Sequence, residues 1–284
     1  MAPVVPVLSL NAQDKSPHLN RNKIKISLNA YSFNRPLKDG SMDINDLLAF
    51  CVEQNLDALD LTAYYFPGYP DIPGDDNIFA VKRQAFLKGL EISGTGVRND
   101  FTYPDPEMRA GDIRLVKNWT ECAAKLGAPV IRVFAGKQTS AEHSRQEVIE
   151  WMVEDLRTCA GYGKKFGVMV AVQNHNDFLR DAKDVLEIIG LVDSEWFGLV
   201  LDIGSLREGD PYEQIALLAP YAVNWQIKEM VYINGKEQKT DLRIISQILK
   251  ETGYRGYIPV ETLGEGDPRQ KVIRFLDEVR TAIG

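Results

Sequence analysis

Residues 167–177 constrain this chain most: Gly-Val-Met-Val-Ala-Val runs straight into Gln173-Asn174-His175-Asn176-Asp177. The apolar half is rich in β-branched residues and too short for an ordinary helix, which predicts a strand buried on both faces. The polar half places side chains capable of chemistry at the strand's C-terminal end. The same design recurs downstream: residues 196–201 lead into Asp202, residues 221–225 into Gln226-Ile227-Lys228-Glu229, and residues 257–260 into Glu261-Thr262. Each is followed by a helix-like segment. Parallel strands that deliver polar groups at their C-terminal ends are how a (β/α)8 barrel builds an active site.

The rest of the chain fits that frame. Residues 23–33 read as a first strand that ends in polar and aromatic residues, and residues 43–54 as its helix behind a Ser41 or Asp43 cap. Residues 56–61 form the second strand, followed by an aromatic, Pro/Gly-rich loop to Gly74 of the length that is usually functional. Helices are expected from Asp75 or Asp76 to 90, then over 105–126, 142–165, 181–191, 210–218, 241–251 and 267–283, most opening on an aspartate suited to a helix N-terminus. Strands at 91–97 and 129–134 bring the count to eight strand-helix pairs in one domain, residues 23–284, with no linker dividing it. A doubly wound open sheet is the alternative. The turn after strand one, Asn29-Ala30-Tyr31-Ser32-Phe33, carries no Gly-rich phosphate fingerprint, which weighs against it.

With 284 residues, 44% of them hydrophobic, there is ample chain for a large core, and a net charge of −7 leaves no basic surplus to neutralise nucleic acid. The three cysteines, Cys51, Cys122 and Cys159, are unclustered and odd in number, and read as buried thiols. No apolar run approaches the roughly 20 residues of a membrane helix. Residues 1–22 read as a disordered tail or the remnant of a signal peptide, because residues 3–12 are apolar and end on a small residue but no Lys or Arg precedes them. A soluble protein is expected, and both cytoplasmic and exported locations stay open.

With a side-chain period of two, Gln173 and His175 share one face of their strand, as do Gln226 and Lys228, while Asp202 and Glu261 end theirs. Asp202, Glu261 and the amide oxygens of Gln173 and Gln226 can converge as four oxygen donors. Such a set suits Mn²⁺ or Mg²⁺ better than Zn²⁺. The alternative is that the glutamines hydrogen-bond each other or the carboxylates in a barrel mouth without metal.

Residues 28–33 (Leu-Asn-Ala-Tyr-Ser-Phe), 173–176 (Gln-Asn-His-Asn), 202–205 (Asp-Ile-Gly-Ser), 225–229 (Trp-Gln-Ile-Lys-Glu) and 261–264 (Glu-Thr-Leu-Gly) carry a resemblance. From about residue 24 onward the chain resembles a sugar phosphate isomerase/epimerase of the xylose isomerase-like TIM-barrel superfamily. The resemblance implies a divalent metal held after strands five to eight, at Gln173, Asp202, Gln226 and Glu261. It also implies a carbohydrate substrate, an acidic substrate contact at Asp60, and a homodimer. Two departures stand out. The strand-five ligand of such enzymes is usually a glutamate that doubles as one of two opposed bases, and here it is the non-basic Gln173. The histidine often found three residues after the strand-six aspartate is replaced by Ser205.

The expected chemistry is proton transfer next to a carbonyl through an enediolate, with Glu261 as first candidate base, His175 as second, and Lys228 as an electrophile or anion contact. Lys228 could equally pair with Glu229 or Asp202. Asn29, Tyr31, Asp60, Tyr64, Arg98, Asn99, Arg132 and Glu229 are expected to touch substrate. Arg132 has a competing reading as a buried ion-pair partner. Tyr31, Phe33, Tyr64, Tyr65 and Phe66 are expected as an aromatic wall facing the sugar, and Trp225 as core. A metal-dependent lyase or hydratase on a keto-sugar or keto-glycoside is the runner-up, and a non-catalytic sugar-binding barrel the third reading. A zinc nuclease on the same fold would need several histidines, and only His18, His143 and His175 exist.

Overall fold

The computed structural model describes residues 24–137, 142–175 and 177–283. The tail expected over residues 1–22, with His18, and Asn176 lie outside the described residues. The chain runs β1 (Lys25–Asn29), α1 (Asn34–Asp39), α2 (Ile44–Glu53), β2 (Ala58–Asp60), α3 (Asp75–Leu87), β3 (Glu91–Gly96), α4 (Pro106–Leu126), β4 (Val130–Phe134), α5 (Arg145–Phe166), β5 (Met169–Gln173), α6 (Ala182–Val192), β6 (Phe197–Asp202), α7 (Pro211–Leu218), β7 (Ala222–Lys228), β8 (Met230–Ile233), β9 (Lys236–Lys239), α8 (Leu242–Thr252), β10 (Tyr257–Glu261) and α9 (Pro268–Ile283). Eight strands close a parallel barrel in the order β1-β10-β7-β6-β5-β4-β3-β2. This is the (β/α)8 architecture the strand endings predicted.

Side-chain alternation splits the core in two. Outward-facing residues such as Ile131, Val133, Val170, Val172, Leu199 and Leu201 pack with the helices in one continuous apolar cluster. Inside the barrel, Val130, Ala171 and Val200 form a separate small cluster with Met169 and Val223 near the strand N-termini. Above that plug the interior turns polar. Arg132, Gln173, Asp202, Asn224, Gln226, Lys228 and Glu261 are all buried. A polar interior of this kind is tolerated only where each group finds a partner, which makes the upper barrel the place for function.

The helix starts follow local chemistry. Asp105, Asp181, Asp210 and Asp241 cap their helices by accepting a backbone N–H, while Asp43 and Ser144 complete capping boxes with Asp46 and Glu147. Helix α5 therefore begins at Arg145 rather than at 142, and Gly74, not an aspartate, precedes α3. The three cysteines are free and buried, and Trp225 is fully buried. No helix among the described residues is long and apolar enough to cross a membrane.

One element was not anticipated, the antiparallel hairpin β8–β9 that follows β7. Its signal lay in the sequence: Asn234-Gly235 separates the two strands, and both adopt positive φ (50° and 75°), the two-residue turn that suits strand twist.

Candidate active site

The polar cluster sits at the C-terminal ends of β5, β6, β7 and β10. Register puts Asp202 beside Gln226 and Lys228 beside Glu261, so adjacent strands present ligand-type groups at one level. Gln173 Nε2 lies 2.8 Å from both Asp202 Oδ2 and Gln226 Oε1. The Gln226 oxygen also faces Glu261 Oε2 and Asp202 Oδ2, each at 3.2 Å, while its nitrogen faces Asn29 Nδ2 at 2.9 Å. Turning that amide round would satisfy Asn29 and both carboxylates but would oppose two N–H groups at Gln173. Neither orientation satisfies every polar group at once.

That conflict bears on whether these residues fit a metal. Oxygen ligands of an octahedral Mg²⁺, held at about 2.1 Å, stand about 3 Å apart. The 2.8–3.2 Å separations among these four side-chain ends match that spacing. A cation with both amide oxygens turned toward it relieves the contacts between the Gln226 oxygen and the two carboxylates, and leaves the Gln226 nitrogen facing Asn29 Nδ2. Among the described residues no three His, Cys, Asp or Glu side chains gather as a metal site; the donors are two carboxylates and two amides, a set for a hard cation.

Lys228 supplies a fixed positive charge beside this cluster. Its Nζ lies 2.8 Å from Glu261 Oε1 and 3.4 Å from Asp202 Oδ2, which leaves Glu261 Oε2 facing the amides. Gly204 makes room, since a Cβ there would come within 2.8 Å of Lys228 Cγ. Burial alone would lower the Lys228 pKa, but the two carboxylates outweigh it and hold it above the ordinary lysine value. Burial raises the Glu261 pKa, with Lys228 pulling the other way and Asp202 adding to the rise. Of the two pairings expected for Lys228, the structure shows the one with Asp202, joined by Glu261. Glu229 points out of the barrel and pairs with Lys271 at 3.4 Å.

Asp202 is positioned by a residue not singled out in the sequence. Asn174 is fully buried; its Nδ2 donates to Asp202 O at 2.8 Å and its Oδ1 accepts from Asp202 N at 2.9 Å. Asn99 does the same for β4, gripping the N–H and carbonyl of Phe134. Its amide is therefore committed to the backbone. His175 lies beyond the strand end, its side chain half exposed, tilted on Phe134 at 4.7 Å with Nδ1 3.4 Å from Asp177 Oδ2.

The other expected contacts divide. Asp60 is buried, accepts from Asn224 Nδ2 at 3.0 Å, and is pushed up to about 6 by burial against the opposing pull of Arg132 and Asn224. Asn29 faces Gln226 and accepts from the Tyr31 N–H at 2.9 Å, while Tyr31 is exposed. Tyr64 packs edge-on against Tyr65 and Tyr69. Arg98 is exposed, and its backbone N–H donates to Tyr69 Oη. The aromatic wall is smaller than expected. Phe33 packs on Phe50 and Phe66 on Trp119, both in the core, because each alternates away from the polar interior. Arg132 has no carboxylate at ion-pair distance among the described residues, although its charge acts on Asp60 and Glu261; it donates to Val97 O and stacks on Phe134 and Tyr64.

Comparison with known proteins agrees with the barrel fold. No curated protein matches the sequence. In fold the chain is similar to D-psicose 3-epimerase from Clostridium cellulolyticum H10, solved with D-tagatose (16% identity, 92% of this chain and 99% of that one, TM-score 0.75). It is also similar to 3-keto-D-glucoside 4-epimerase from E. coli (16% identity, 91% and 100%, TM-score 0.72) and to the IolI protein solved with a zinc atom (16% identity, 92% and 98%, TM-score 0.74). The family model described as xylose isomerase-like TIM barrel matches residues 48–279. The chain belongs to the xylose isomerase-like TIM-barrel family.

Proposed function

We propose that this protein is a carbohydrate isomerase or epimerase that moves a proton next to a carbonyl, with Gln173, Asp202, Gln226 and Glu261 holding a divalent Mn²⁺ or Mg²⁺. The observation that carries it is the gathering of two carboxylates and two side-chain amides, with ends 2.8–3.2 Å apart, at the C-terminal ends of four strands. The epimerases among its fold neighbours support the substrate class. When bound, the metal would supply polarisation of the sugar carbonyl.

The chain's own groups do the rest. Glu261 is the base: its raised pKa and its place at the end of β10 suit a carboxylate that takes and returns a proton. Lys228 holds Glu261 Oε1 and keeps the carboxylate oriented, and its charge favours a developing negative oxygen. His175, at the rim, is the second proton-transfer candidate. Tyr64 and Tyr31 provide apolar faces for a sugar ring. Gln173 carries no basicity, so a symmetric pair of opposed bases is absent. That favours a mechanism with one base, and it keeps elimination by a lyase or hydratase as the second reading, told apart by release of water or an aglycone.

Titration of the purified protein with Mn²⁺ and Mg²⁺ by calorimetry, for wild type and Asp202→Ala, tests the reading. One equivalent bound by wild type and lost in Asp202→Ala is expected. No saturable binding in wild type would remove the metal from the proposal.

A further inference from the structure

Arg132 is a charged group of the barrel interior that the proposed chemistry leaves without a task. It is more than nine-tenths buried, yet it has no carboxylate partner among the described residues. Its only side-chain hydrogen bond among the described residues runs from Nη1 to Val97 O. Nε and Nη2, which together form the side-on edge of the guanidinium, meet no protein acceptor among the described residues. A guanidinium with an open donor edge is a ready partner for an anion.

The guanidinium is also held in place before any ligand arrives. Its Cζ lies 4.1 Å from the Phe134 ring centroid and 5.5 Å from that of Tyr64. Gly96 lies against it so closely that a Cβ would approach Cζ and Nε to 2.8 Å and Nη2 to 2.9 Å. A glycine that admits the guanidinium, two rings that stack on it and one carbonyl that anchors Nη1 fix a planar group whose free edge matches a two-oxygen anion. It belongs to the same mouth as the cluster above, since its charge acts on Asp60, Tyr65, Tyr69 and Glu261.

Resting on the reading of this mouth as a sugar site, we infer that Arg132 is an anion fork and that the sugar this barrel binds carries a carboxylate or phosphate received by its Nε and Nη2. Fork recognition gives strength and direction, whereas a lysine would supply only charge. Arg132 is then a specificity-determining residue for acid sugars over their neutral parents. Lys228 does not compete for this role, because Asp202 and Glu261 already occupy its donors.

Calorimetry on the whole chain with two matched pairs tests this: D-glucuronate against D-glucose, and D-fructose 6-phosphate against D-fructose. At least one acid should bind about tenfold or more tightly than its neutral parent, which tells carboxylate from phosphate. Arg132→Met should abolish that preference. Arg132→Lys, which keeps the charge, should retain only part of it, and Gly96→Ala, which displaces the guanidinium, should weaken it. These two variants serve if Arg132→Met does not fold. Equal binding of acid and parent, no binding by any of the four, or a preference that survives Arg132→Met would overturn the inference. The metal titration uses no sugar, so the two readings can fail separately.

Discussion

Asn174 holds Asp202 by both of its backbone groups, donating from Nδ2 to the carbonyl at 2.8 Å and accepting from the N–H at 2.9 Å. The side chain of one strand end thereby fixes the next strand end, and with it a carboxylate of the site. Asn174→Ala leaves a buried donor and a buried acceptor unpaired, each worth about 1–3 kcal/mol. Thermal unfolding should show a clear loss of stability, and calorimetry a weaker Mn²⁺ affinity. An Asn174→Ala protein with wild-type values for both would mean the clamp does not position Asp202.

Lys228 neutralises two buried carboxylates. Lys228→Met removes that charge and should destabilise the protein by about 3–5 kcal/mol, because breaking a buried pair strands its partners. Saturating Mn²⁺ should then raise the melting temperature more in Lys228→Met than in wild type, since the cation is the remaining way to compensate Asp202 and Glu261. Equal shifts in the two proteins would contradict this.

Glu261 and His175 compete for the base. Solvent-deuterium incorporation into substrate should fall by about 10²-fold or more in Glu261→Gln. His175→Ala, altering a half-exposed ring outside the buried cluster, should retain most of the exchange. The reverse pattern would transfer the base to His175.

Asp60 gives a pH dependence of defined sign. Its pKa, raised from 3.8 to about 6 by burial, lies above the unfolded value, so the folded protein prefers it protonated. The group therefore costs nothing below about pH 4, and destabilises increasingly up to about pH 6, by on the order of 3 kcal/mol, beyond which the cost is constant. Arg132, Asn224 and Glu261 face it throughout. Asp60→Asn should match wild-type stability near pH 4 and exceed it above pH 6. A difference that stays flat with pH would show that Asp60 does not titrate in this range.

The sequence by itself determined the barrel, because short β-branched runs ending in polar residues and followed by aspartate-capped helices leave few other ways to bury so many strands. It also determined which strand ends gather polar side chains, since a period of two puts Gln226 with Lys228 on one face. The hairpin was legible too, in Asn234-Gly235, but lay behind a strand already assigned. Tertiary structure alone decided the partners. Whether Lys228 meets Glu229 or Glu261 depends on which face of β7 points inward and on the register of β7 with β10. That Asn174 grips a backbone 28 residues away, and that Arg132 meets no carboxylate at ion-pair distance among the described residues, follow from how neighbouring strands close around one axis. Local sequence fixes a side chain's identity and face; only barrel closure brings groups distant in the chain within hydrogen-bonding range.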